Sequence, residues 1–208
     1  MIQLSEKIED KEIQNVPLTK KGLMTRQKLL DTAEEIFGTK GYYETSIVDI
    51  TQKADVAQGT FYNYFSTKQM IFTELVRQLS KDFRNEIRLE VAKATSEKEA
   101  QMFGIRTFFR WVKNHRNLYN IVQQAVLVDE ELYRWYYERL AQGYVKGLEE
   151  AMKKGEFKSL DPETVAYGLM GISQFIGMRW VYWENQDVPE HVFEDAMKLI
   201  FEGLSKDV

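Results

Sequence analysis

Residues 54–65 read ADVAQGTFYNYF: a turn-like start, a Gln-Gly-Thr tip, then four aromatics within five positions. Residues four apart on a helix share a face, so Phe61 and Phe65 are expected to pack inward together, against Phe37, Ile47 and Ile50. Gln58, Gly59, Tyr62 and Asn63 then face outward, with Thr60 and Tyr64 on the flanks. A tyrosine on the outer face is an unhelpful exposed ring unless something meets it.

Working outward, apolar spacing reads as helix nearly everywhere and no alternating strand is found, so the fold class is all-α. Upstream, a helix is expected from about Thr19 to Thr39, with Leu23, Leu30, Ala33 and Phe37 on one face and Gly41 as a left-handed stop. A short second helix follows Thr45 or Ser46, either of which can cap it, with Ile47, Ile50 and Ala54 inward. Downstream, Ser66-Thr67-Lys68-Gln69 fits a capping box opening a fourth helix that reaches about Ala94. At 1.5 Å per residue it would be roughly 40 Å long, enough to link two modules. Further helices are expected at about 97–114, 116–126, 129–154, 162–184 and 189–205, with Gly155 closing the third of these and Pro162 and Pro189 starting the last two.

Three short helices within the first seventy residues, the last two separated by a tight turn at Ala54 to Ala57, fit a helix-turn-helix. The N-terminal residues of the second helix in such a motif reach base edges in the major groove. The Gln58 amide can bond adenine bidentately, Asn63 is a further candidate, and Gly59 lets backbone approach the DNA. The hydroxyls of Tyr62 and Tyr64 can donate to phosphates, while Thr45, Ser46 and Lys68 sit at helix starts where backbone amides also favour anions.

Residues 26–70, from RQKLLDTAEEIFGTKGY through TSIVDITQKADVAQGTFYNYFSTKQM, resemble the DNA-binding domain of the TetR (tetracycline repressor) family of bacterial regulators. The shared pattern runs from an apolar first helix through a Thr-Ser pair to Gly-Thr-Phe-Tyr-x-Tyr-Phe-x-x-Lys. The resemblance implies a dimeric, all-helical transcription regulator, a repressor of a double-stranded DNA operator that a small ligand releases. By position it implies phosphate contacts at Thr45 or Ser46, Tyr62, Tyr64 and Lys68, and base readout at Gln58, Gly59, Thr60 and Asn63. The chain departs from the pattern at Asp55, where relatives commonly have glycine, and at Ala57, where a capping serine is frequent. The organisation is read as a flexible N-terminal tail over 1–17, a helix-turn-helix DNA-binding domain over 18–66, and a ligand-binding and dimerisation domain over 67–208.

In the last of these, aromatic and Met side chains at helical spacing form either plain core or an apolar cavity with a few polar anchors. The candidate ligand-binding residues are Phe108, Trp111, Tyr119, Gln123, Tyr136, Met170, Gln174, Met178 and Arg179. Arg179, in a largely apolar helix, needs a carboxylate from the protein or from a ligand. Tyr167 to Trp183 is too short and too polar for a membrane span, so protein must bury it. With the following helix it could form half of a four-helix bundle completed by a second copy, through Ile172, Phe175, Val192, Phe193, Met197 and Ile200. The alternative is an intramolecular core. Ligand binding is expected to tilt the long fourth helix and move the two recognition helices away from the roughly 34–36 Å spacing of successive major grooves.

Composition narrows the function classes. There is no cysteine, and His115 and His191 lack ligand-spaced partners, so no metal or cofactor is expected. No Gly-x-Ser-x-Gly, phosphate loop or Glu-x-x-His spacing supports an enzyme, and paired acids such as Glu149-Glu150 read as solvated surface. A helical enzyme or a protein-binding adaptor is the competing class. The net charge of −4 is unevenly spread, with residues 18–70 alone leaning positive at +1. The polar N-terminus is unlike a signal peptide, which points to a cytoplasmic protein without membrane attachment.

Overall fold

The computed structural model describes residues 19–204; the tail expected over 1–17 lies outside them. Among the described residues the chain is helix and connecting turn throughout, and no helix is long and apolar enough to cross a membrane. Helix α1 (Lys20–Lys40) is capped by Thr19, whose hydroxyl accepts from the Gly22 amide at 3.1 Å. Burial begins at Leu29, so the first turns project past the core and Leu23, expected inward, is exposed. Gly41 stops the helix as expected, at φ 90°, ψ 158°, a positive-φ conformation, outside the αL well, that glycine adopts without strain.

Ser46, not Thr45, caps α2 (Ile47–Lys53), forming a reciprocal capping box with Asp49. The recognition segment is shorter than its apolar pattern: α3 covers only Gln58–Tyr62. Tyr64 and Phe65 follow in a turn, both amides donating to Phe61 O at 2.9 Å, which still brings Phe65 under Phe61. Helix α4 (Lys68–Val91) opens one residue later than expected, because Thr67 takes the capping position with its hydroxyl on the Met70 amide. Phe72 meets Phe37 edge-on at 5.5 Å. Further along, α4 packs on α5 (Glu97–Asn114), α6 (Arg116–Val128) and α7 (Glu130–Lys154), so one apolar core runs through both halves. Gly155 closes α7 in a left-handed conformation, φ 79° and ψ 13°, as a C-terminal glycine should.

Helix α8 (Pro162–Ile176) does not continue as α-helix to Glu184; from Gly177 to Trp183 it widens into a π turn. Two contacts account for the change. A Cβ at Gly177 would lie 2.9 Å from a Phe108 ring carbon, so only glycine allows this approach to α5. Arg116, at the start of α6, donates to Val181 O at 2.9 Å and Tyr182 O at 2.8 Å, satisfying carbonyls at the end of the turn. Gly168 and Gly171 face open space within the chain: a Cβ at either would meet no atom within 4 Å.

Helix α9 (Glu190–Leu204) corrects half of the expected dimer face. Phe193, Met197 and Ile200 are buried within the chain itself, with Phe193 meeting Phe109 of α5 at 6.5 Å and the Arg106 guanidinium at 3.7 Å. Val192 and Ile172 are half-buried, and Phe175 remains 66% exposed.

Candidate nucleic-acid interface and effector cavity

The turn before α3 is built from α2. Ala54 N donates to Ile50 O at 2.9 Å and Val56 N to Thr51 O at 3.0 Å, and between them Asp55 takes φ +51°. Ala57 starts α3 without a side-chain cap. Phe61 and Phe65, 0% and 1% exposed, anchor the segment, and the Arg26 guanidinium covers the Phe65 ring at 5.1 Å while pairing with Glu74. This anchoring turns Gln58, Gly59, Tyr62 and Asn63 out to solvent, with Thr60 and Tyr64 half-buried at the sides. A Cβ at Gly59 would meet nothing within 4 Å, so the tip is open to an incoming surface.

The other DNA-facing candidates are placed differently. Thr45 is 2% exposed and its hydroxyl donates to Gly41 O at 2.6 Å, which withdraws it from any phosphate. The Ser46 hydroxyl stays at the surface but both accepts from the Asp49 amide at 3.1 Å and donates to the Asp49 carboxylate at 2.7 Å. The Ser46 backbone N–H, donating to the Asp49 carboxylate at 2.7 Å, the Ser46 hydroxyl and Lys40 at 3.0 Å together hold that carboxyl well below the usual carboxylate range. Lys68 turns inward: Nζ donates to Tyr42 O and Thr45 O at 2.7 Å each and sits 4.2 Å from the Tyr42 ring centroid. Burial lowers its pKa. Lys68 thus ties α4 to the α1–α2 connection rather than reaching for phosphate.

In the second half, α5, α6, α7 and α8 enclose a cavity of about 20 Å3, room for one water. Of the expected ligand-binding residues, Phe108, Trp111, Tyr119, Gln123, Tyr136 and Gln174 line it. Val122, Tyr137 and Leu140 line it too. Sequence pattern does not single out Tyr137 although it neighbours Tyr136, because one helix can turn both rings inward only when two partner helices flank it. Met170 is buried elsewhere in the core, and Met178 and Arg179 are not in the lining. Arg179 pairs with Glu184 at 2.6 Å on the surface, so its carboxylate comes from the protein. Gln174 Nε2 donates to the Tyr119 hydroxyl at 2.7 Å, and Gln123 hydrogen-bonds the Tyr137 hydroxyl. Burial pushes the Tyr119 hydroxyl up to about 12 and raises Tyr136 and Tyr137 further, so all three stay neutral at ordinary pH.

Helix α6 joins the two regions. Next to the cavity residues Tyr119 and Gln123, Asn120 Nδ2 donates to Gly38 O at 2.8 Å, and Gln124 donates to Phe37 O at 3.1 Å and accepts from the Tyr42 amide at 2.6 Å. These side chains satisfy the end of α1, where intrahelical partners run out. The crossing is tight: a Cβ at Gly38 would lie 2.8 Å from Asn117 Cα.

Residues 29–75 match the family model of the bacterial regulatory proteins of the tetR family. Over 193 residues the chain is 26% identical to the uncharacterized HTH-type transcriptional regulator YdgC of Bacillus subtilis (strain 168), spanning 88% of this chain and 94% of that protein. It is 22% identical over 185 residues to the HTH-type transcriptional repressor KstR2 of Rhodococcus jostii (strain RHA1), spanning 86% and 91%. The crystal structure of a TetR-family transcriptional regulator from Syntrophomonas wolfei str. Goettingen aligns with a TM-score of 0.73 at 26% identity, over 85% of this chain and 93% of that one. FadR of Bacillus subtilis, solved with stearoyl-CoA, shares the fold at a TM-score of 0.76 and 21% identity, over 85% and 98%.

Proposed function

We propose that this chain, which belongs to the tetR family of bacterial regulatory proteins, is a dimeric repressor that a small, largely apolar or aromatic effector releases from a double-stranded DNA operator. The observation that carries the reading is the division of α3 by face. Phe61 and the following Phe65 are sealed in the core, while Gln58, Gly59, Tyr62 and Asn63 stand together on an open tip. Gln58 and Asn63 read base edges, Gly59 and Thr60 admit close approach, and Tyr62 and Tyr64 donate to phosphate. The DNA-binding part is residues 18–66, and the effector-binding and dimerising part is 67–208. No chemistry is required of the chain, and its place of action is the cytoplasm, where the DNA is.

The effector occupies the cavity between α5 and α8 and opens it by displacing the Gln174–Tyr119 bond. Because Tyr119 and Gln123 alternate with Asn120 and Gln124 along α6, a shift at the cavity moves the side chains that hold α1. The tilt expected of α4 alone is therefore shared with α6. DNA must weaken effector binding by the same factor as effector weakens DNA binding.

A gel shift with the full chain and the DNA upstream of its own gene tests this. The expected result is a shifted band that Tyr62→Phe weakens several-fold without loss of thermal stability. Absence of a shift at low salt with every fragment of the source genome would sink the reading.

A further inference from the structure

We infer that the cavity admits the uncharged, carbonyl-bearing end of the effector, seated on the Tyr119 hydroxyl, and turns carboxylates away. The inference rests on the reading of this cavity as the effector site. Two features of the lining carry it. The first is an unused donor: the Tyr119 hydroxyl accepts from Gln174 at 2.7 Å, but among the described residues its own O–H has no acceptor. A buried O–H at a cavity wall calls for an acceptor atom, and a carbonyl oxygen supplies one in the direction a phenol prefers.

The second feature is that no lining residue is ionisable to a cation. The nearby guanidinium groups lie outside the lining, fixed there by other partners. Arg116 is bound to Val181 O, Tyr182 O and Asn185. Arg179 is paired with Glu184, and Arg84, whose charge reaches Tyr136, donates through Nε to Ser80 O. A carboxylate entering here would be desolvated without a counter-ion, a cost that one phenol and one amide do not offset. A ketone, ester, thioester or amide carries the same acceptor without the charge. The rings of Phe108, Trp111 and Tyr136 give the remainder of such a ligand an apolar, aromatic seat. Leu140, Gln123 and Gln174, all half-buried, are the side chains that can swing to widen it.

The test uses a matched pair of probes, 2-naphthamide and 2-naphthoate, nearly identical in shape and differing in charge at neutral pH. Each is titrated calorimetrically into the full chain, into Tyr119→Phe, which keeps the ring and removes the donor, and into Leu140→Trp, which fills the cavity from its half-buried rim. The expected result is that naphthamide binds about tenfold or more tighter than naphthoate. Tyr119→Phe should remove most of that preference, and Leu140→Trp should abolish binding. Naphthoate binding as tightly as naphthamide, with both lost in Leu140→Trp, overturns the charge selection and leaves the cavity as the effector site. Binding of neither probe, or binding indifferent to Leu140→Trp, overturns the site and the selection together. A preference for naphthamide that survives Tyr119→Phe overturns the role of the hydroxyl.

Discussion

Asp55 sits at φ +51°, a conformation in which its Cβ crowds the backbone and which glycine adopts without strain. Asp55→Gly is therefore expected to raise stability by about 0.5–1 kcal/mol, read as a higher Tm, with the turn geometry and operator affinity kept. An unchanged or lower Tm would show that the aspartate side chain offsets the strain by bonding locally. The local sequence does not single this position out; only the family resemblance, in which relatives commonly have glycine there, points to it. Phe61 and Phe65, by contrast, are legible directly, since their four-residue spacing orients both whatever lies beneath them. Thr45 and Ser46 are not separable in this way. Either can cap, and the choice falls to Ser46 only because Asp49 stands three residues after it and Gly41 O lies within reach of the Thr45 hydroxyl.

Lys68 opens α4, and its place at a helix start behind the aromatic run suggests a phosphate contact. Its fate is decided by carbonyls of residues 42 and 45, far away in the chain, and no spacing rule reports on those. The consequence is testable at the level of the element. Lys68→Met keeps the stem against Tyr42 and removes two charge-assisted bonds, so it is expected to destabilise the chain by about 1–3 kcal/mol. Operator affinity should fall as α4 loses its hold on the α1–α2 connection, while the slope of log affinity against log salt stays unchanged. A direct phosphate contact would instead reduce that slope by about one unit, which a salt series of binding isotherms distinguishes. Helix α6 teaches the same lesson from the opposite side. Its apolar residues are recognisable from their spacing, but the roles of Asn120 and Gln124 depend on where α1 ends in space.

At the scale of the whole molecule, α9 carries one broad apolar arc, and periodicity alone cannot say whether this chain or a second copy covers it. Contacts with α5 cover the part carrying Phe193, Met197 and Ile200. What remains outward is Leu199 at 67% exposure on α9, with Tyr167 and Phe175 on α8, large apolar groups that a monomer would leave wet. Gly168 and Gly171 lie beside Tyr167 and Phe175 on the α8 helical path and are open, so a second copy can approach closely there. Phe175→Asp is thus expected to shift the chain from dimer to monomer in light scattering, with operator affinity falling sharply because two half-sites no longer bind as a unit. A variant that stays dimeric would place the interface elsewhere. The π turn at the end of α8 bears on how this molecule should be set beside its relatives. A π turn carries about one residue more than the α-helical path it replaces, and one residue corresponds to roughly 100° of rotation about the axis. Deletion within residues 177–183, rather than any substitution, is the change that would restore regular helix. It would swing Tyr182 off the Tyr119 ring, 4.9 Å away, and carry the carbonyls out of reach of Arg116. A homologue whose α6 is not held in this way is expected to be one residue shorter there, so that the position of a gap, not the identity of an aligned side chain, records the difference.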